Sequence, residues 1–272
     1  MHLIRRASLC AAILLAFGVA ASVPAWAAGA SAAGIPRTAS GKPDLQGIWQ
    51  VRNRAAYGLE EHNASLGILP GKGVVDGGTI PYQPAALAKR NENFAQRAER
   101  DPFNQCFMPG VPRIMYLEHP FQIFQTDAHV AMTFEWSQVF RLIYTDDSPH
   151  VDNIEFWMGD SRGHWEGDTL VVEVTNYNDQ TWLDAAGNFH SEQLKLTERY
   201  TLRDADTLDY EATFEDPQVF TRPWTIRMPF YRHRDMGRLL EYQCQAEKEE
   251  ANGDFERDPR TWYPGPQSQG AP

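Results

Sequence analysis

The sequence predicts a mainly β protein, an antiparallel meander closed into a barrel or a strongly curved sheet, with an irregular N-terminal extension and one helix. Three observations predict it. From Phe121 to Ala246 the chain falls into short runs rich in β-branched and aromatic residues, separated by turn signals such as Thr145-Asp146-Asp147 and Asp204-Ala205-Asp206. Several runs alternate: Leu208, Tyr210, Ala212 and Phe214 are apolar while Asp209, Glu211, Thr213 and Glu215 between them are polar, and Trp224, Ile226, Met228 and Phe230 keep the same parity. Such alternation is what a sheet with one buried and one wet face requires. Sustained helical spacing occurs only over 84–100, opened by Pro84 at a first-turn position.

At the N-terminus, Arg5 and Arg6, the apolar run Leu9 to Val23 and the small-x-small site Ala25-Trp26-Ala27 make a secretory signal peptide cleaved near Ala27. The run is too short for a membrane span. Export to the periplasm or beyond is expected. The leader 28–43 is small-residue-rich and reads as flexible, and one β-rich domain then spans 44–246, with a long loop over 58–84 rich in Gly and Pro. Strands are expected at 121–126, 129–136, 139–145, 154–158, 169–176, 192–202, 207–215, 222–231 and 238–245. The tail 247–272 is charged, then rich in Pro, Gly and Gln, and reads as disordered.

The signal peptide carries two of the 25 basic residues and none of the 36 acidic ones, which leaves the mature chain a formal charge of −13. Such a chain is repelled by nucleic acid and anionic lipid, so neither is an expected partner. The two cysteines after the cleavage site, Cys106 and Cys244, form an even count in an oxidising compartment, and a disulfide is expected over two separate buried thiols. The sequence carries no signal for oligomeric state.

The chemical question is posed by 190–200. Read as one strand, His190, Glu192, Leu194, Leu196, Glu198 and Tyr200 share a face, opposite Ser191, Gln193, Lys195, Thr197 and Arg199. Two carboxylates and an imidazole then point to the apolar side, where an unpartnered charge costs several kcal/mol. Either cations such as Arg141 or Arg227 neutralise them, or a ligand or reaction needs them. His190 and Glu192, about 6–7 Å apart at strand spacing, can share one substrate or one water, and are the candidate acid/base pair. Glu198, Tyr200, Tyr210, Phe214, Trp224 and Tyr242 share the apolar parity and would line the interior, either simply filling it or surrounding a flat hydrophobic or aromatic molecule. Asp160 joins this binding set. Within Gly159-Asp160-Ser161-Arg162-Gly163 it also reads as a turn residue capping backbone N–H groups, and Glu166 to Thr169 reads as a hairpin turn.

No cofactor fingerprint occurs: phosphate loops, dinucleotide motifs, His-Glu-x-x-His and paired Cys-x-x-Cys are missing, so neither a cofactor nor a metal is expected, with His164 beside His190 and Glu192 the one alternative weighed.

Four stretches carry a resemblance: Gly41-Lys-Pro-Asp-Leu-Gln-Gly-Ile-Trp49, Cys106-Phe-Met-Pro-Gly-Val-Pro-Arg113, Trp157-Met-Gly-Asp-Ser-Arg-Gly-His-Trp-Glu-Gly-Asp-Thr-Leu-Val-Val172, and His190-Ser-Glu192 with Glu198-Arg199. In these the chain resembles a widespread family of exported bacterial proteins, a resemblance that implies export and supplies no catalytic residues. Gly47-Ile48-Trp49 is also similar to the Gly-x-Trp of the first strand in calycins, including lipocalins, which implies a lipocalin-like barrel. Three functions follow: an exported binder of a hydrophobic or aromatic small molecule in the barrel interior, a cofactor-free isomerase, lyase or hydrolase using His190 and Glu192, or a structural envelope interaction protein.

Overall fold

The computed structural model describes residues 34–64 and 69–253. The expected signal peptide and residues 254–272 lie outside them.

Nine strands close into a barrel in sequence order: β1 (Gly47–Val51), β2 (Phe121–Gln125), β3 (His129–Phe134), β4 (Phe140–Tyr144), β5 (Asp160–Glu166), β6 (Thr169–Thr175), β7 (Lys195–Asp204), β8 (Thr207–Glu215) and β9 (Trp224–Arg232). β9 returns to β1 through Trp49↔Arg232, Gln50↔Tyr231 and Val51↔Phe230. Every joint is antiparallel except β4–β5, a parallel joint of two paired positions, Ile143↔Ser161 and Tyr144↔Arg162. The helices are α1 (Pro84–Ala95), α2 (Arg97–Arg100) and α3 (Cys244–Asn252). None among the described residues is long and apolar enough to cross a membrane.

Alternation holds along β7, β8 and β9. Leu196, Glu198, Tyr200 and Leu202 of β7, Leu208, Tyr210, Ala212 and Phe214 of β8, and Trp224, Ile226, Met228 and Phe230 of β9 are all buried. Their aromatic rings meet one another: Phe214 stacks on Trp224 with centroids 4.0 Å apart, Tyr210 on Phe230 at 4.9 Å, and Phe121 meets Phe230 edge-on at 5.2 Å. Each such pair adds about 0.5–1.5 kcal/mol to the area it buries. Tyr200, Tyr210, Phe214 and Phe230 are at most 1 % exposed, so water barely reaches them. These side chains fill the barrel, as interiors of roughly this strand number can be filled.

The two ends differ. At one end the connections are tight, with 126–128, 167–168 and 205–206 joining β2–β3, β5–β6 and β7–β8. At the other end, long irregular segments close over the opening. Tyr116 donates to the Leu183 carbonyl at 2.7 Å, the Leu59 N–H to Asp184 at 2.8 Å, and Asn93 of α1 to the Gly187 carbonyl at 3.2 Å, which ties the 51–59 turn, α1, the 113–116 turn and the 181–190 loop into one cap. Beneath it, Asp101 takes a bidentate pair from Arg113 at 2.7 Å on both arms, and both residues are buried. Burial works against the Arg113 charge, but the adjacent Asp101 carboxylate outweighs it and raises the pKa. The Cys106–Cys244 disulfide, spanning 138 residues, fastens α3 to this cap.

Several expectations are corrected. Asp160 and Ser161 open β5 and do not form a turn, while Glu166–Thr169 is the expected hairpin. Residues 154–158 make only the single bridge Phe156↔Tyr177, and 238–245 make only Trp136↔Tyr242 before α3 begins. Tyr242 therefore lies outside the barrel, tilted against His119 with centroids 4.5 Å apart. The described part of the leader packs down, with Arg37 paired to Asp168 and Lys42 over the Trp165 ring.

Candidate functional site

The predicted residues separate into three groups. In the barrel interior, Glu198 of β7 is fully buried and held by Arg141 of β4 in a bidentate pair. Tyr200 and Tyr210 each donate a hydroxyl hydrogen bond of 2.8 Å to the same carboxylate oxygen, and the Arg141 Nε donates to Ser161 Oγ at 3.1 Å. Burial opposes the Arg141 charge, and the Glu198 carboxylate overcomes it, so the pKa rises. Burial first, and then Glu198, pushes both phenols well above their ordinary value. Each member of this cluster has partners, which answers one alternative directly: Arg141, not Arg227, neutralises Glu198. Arg227 lies outside, paired to Glu211 and Asp76.

Next, His190 sits under the cap. Its Nε2 lies 2.7 Å from Thr181 Oγ1 and its Nδ1 2.9 Å from the Ser191 carbonyl, with the Tyr177 ring edge-on at 5.2 Å. A carbonyl only accepts, so Nδ1 carries the proton and Nε2 accepts from the threonine hydroxyl. Burial lowers the His190 pKa, in keeping with a neutral ring. Gly110, at φ +75°, presses against this pair: a Cβ there would come 2.6 Å from Thr181 Oγ1. Sequence reasoning missed Thr181. The Pro-Gly of Cys106–Arg113 is the signal that marks its neighbour.

Glu192, in contrast, is exposed. The strand starts at Lys195, because Ser191 turns the chain by donating from its N–H and its hydroxyl to Asp216, at 2.7 and 2.9 Å. Alternation stops there, and Glu192 faces solvent, touched by the Gln218 amide at 3.2 Å. His190 is buried and Glu192 exposed, and both line one cleft of about 290 Å³ outside the barrel interior, with no hydrogen bond between them among the described residues. Asp160 serves the β4–β5 joint, where its carboxylate accepts from Arg162, the His150 ring and the Val151 N–H. The Val151 contact is the backbone cap expected of it. His164 lies on the outer side of β5 against Glu166, and among the described residues no three His, Cys, Asp or Glu gather as a metal site.

Glu192 instead stands where three surface clefts meet at the capped end. The largest, about 580 Å³, runs over Leu194, Pro217, Phe220 and Pro223, with Glu192, Lys195, Glu215 and Arg222 around it. A second of about 290 Å³ includes His190, Trp182, Phe189 and Asp179, and a third of about 550 Å³ includes Ile154, Glu155 and Tyr177.

No family model, curated protein or solved structure matches the chain.

Proposed function

We propose that this is an exported β-barrel protein that binds a small amphipathic molecule with an aromatic or aliphatic body, in the clefts of the capped end and not in the filled interior. The observation that carries this reading is the convergence of three clefts on Glu192, the largest of them floored by Leu194, Pro217, Phe220 and Pro223. Concave, apolar-floored sites with a few polar groups are where small molecules bind. The disulfide agrees with an oxidising compartment, and the signal-peptide reading supports export.

A thermal-shift panel of neutral aromatic and lipidic compounds tests it, run on wild type and on Glu192→Trp, which places an indole where the clefts join. A ligand at 100 times its Kd stabilises the native state by about 2.7 kcal/mol. Shifts seen in wild type and lost in Glu192→Trp support the site. Shifts of equal size in both proteins overturn it, as does a panel without shifts when charged dipeptide probes also fail to bind.

A second reading, acid/base catalysis, rests on the 2.7 Å Thr181–His190 hydrogen bond bordering the 290 Å³ cleft. Its base would be the neutral Nε2 of His190, with Thr181 and not Glu192 as its partner. Turnover of a compound found in the panel, abolished in His190→Gln and kept in Glu192→Gln, would establish it.

A further inference from the structure

Among the described residues, the charges around the largest cleft form no ion pairs, whereas several charges elsewhere on the barrel do. On the outer face, Arg37 pairs with Asp168, Arg199 with Glu166, Arg203 with Asp209, Arg227 with Glu211 and Arg234 with Asp206. At the cleft, Lys195 and Glu215 are directly opposite across the β7–β8 ladder, an arrangement that ordinarily joins opposite charges, yet they form no ion pair. Arg222 makes only a hydrogen bond to the carbonyl of Pro223, and Glu192 only the one with the Gln218 amide. Two cations and two carboxylates, all exposed, therefore ring one apolar-floored cleft with no ion pair among the described residues. Asp216, the remaining charge in the lining, is already engaged with Ser191.

Unpaired groups of both signs over one apolar floor complement a ligand carrying both signs on an apolar body. We infer that the cleft takes a zwitterionic amphipath, a free amino-acid-like or short peptide molecule, whose ammonium group lies toward Glu192 and Glu215, whose carboxylate lies toward Lys195 and Arg222, and whose side chains rest on Phe220, Pro217 and Pro223. This inference rests on the binding reading above. A volume of about 580 Å³ is in the range of known small-molecule sites. A ligand that supplies the missing partner of each charge also gains charge-assisted hydrogen bonds, which are about twice as strong as neutral ones.

Calorimetric titration of the mature protein with four probes tests it: the dipeptide Phe-Phe, its N-acetyl form, its C-terminal amide, and the cyclic dipeptide, which has neither charge. The zwitterion is expected to bind at least ten-fold tighter than either singly blocked form, and the cyclic form weakest. In Glu192→Gln/Glu215→Gln, acetylation should no longer matter, and in Lys195→Met/Arg222→Met amidation should no longer matter. All four residues are exposed, so unchanged melting temperatures are expected of these variants. Equal binding of the four probes, or charge effects that persist in both variants, overturns the zwitterion while the cleft itself stands. Binding of the neutral panel with none of the four probes also overturns it. If neither set binds, the cleft reading falls and takes this inference with it.

Discussion

Arg141 and Glu198 join β4 to β7 through the middle of the barrel, with the Tyr200 and Tyr210 hydroxyls closing on the same carboxylate. A salt bridge in such a place is rarely worth more than the apolar contacts it displaces, but half of one is expensive. Glu198→Ala should cost about 3–5 kcal/mol, since it strands a buried guanidinium and two phenols, whereas Arg141→Met/Glu198→Leu should cost less than either single truncation. Urea unfolding of Glu198→Ala, Arg141→Ala and the double variant checks this. A double variant weaker than both singles would show that the pair is worth more than its desolvation.

His190 makes stability depend on pH in a set direction. Burial holds its folded pKa below the unfolded one, so as pH falls the unfolded chain takes up the proton first. Stability is therefore full above the unfolded value of about 6.5 and declines below it, by up to about 1.4 kcal/mol per pH unit. Urea midpoints between pH 7.5 and 5.5 should fall more steeply in wild type than in His190→Gln. Parallel profiles would place the titration elsewhere.

Gly110→Ala should weaken the cap twice over, through φ +75° and through contact with the Thr181 hydroxyl. The expected cost is about 1–3 kcal/mol. Gly77 is the control, because at φ +76° it has open space where a Cβ would go. A Gly77→Ala loss as large as that of Gly110→Ala would reduce the effect to backbone strain alone.

Removing the Cys106–Cys244 link, by reduction or by Cys106→Ser/Cys244→Ser, frees a loop of 138 residues in the unfolded chain. The expected loss is about 2–5 kcal/mol, read as a lower melting temperature. A change under 1 °C would mean that the cap holds without its fastening.

Most of the barrel was legible because β7, β8 and β9 alternate strictly. β5 was not, and the reason lies in Ser161 and Gly163. Two of its inward positions carry no bulky apolar side chain, since Ser161 accepts from Arg141 and a Cβ at Gly163 would come 2.8 Å from Ile143 Cγ2, and Trp165 alone marks that face. Glu192 was misplaced by extending a true period past the strand start at Lys195, where the Ser191–Asp216 contacts end it. The apolar residues of 238–245 resemble a strand, yet Leu240 is exposed and the segment feeds α3. The clefts were invisible to pattern because loops from four strand connections, β1–β2, β4–β5, β6–β7 and β8–β9, form them. The signed charges on their rim look in sequence like any wet face.

Nine is an odd number, and a closed ring of strands can reverse direction only an even number of times. One joint of this barrel must therefore run parallel whatever its residues, and it falls between β4 and β5. A parallel joint between successive strands obliges the chain to travel back along the cylinder, which accounts for 145–159 and leaves only Ile143 and Tyr144 to meet Ser161 and Arg162. The arithmetic of closure has placed the cylinder's shortest ladder beside Arg141. Any breathing of the wall that spares the long hairpins would pass along that line.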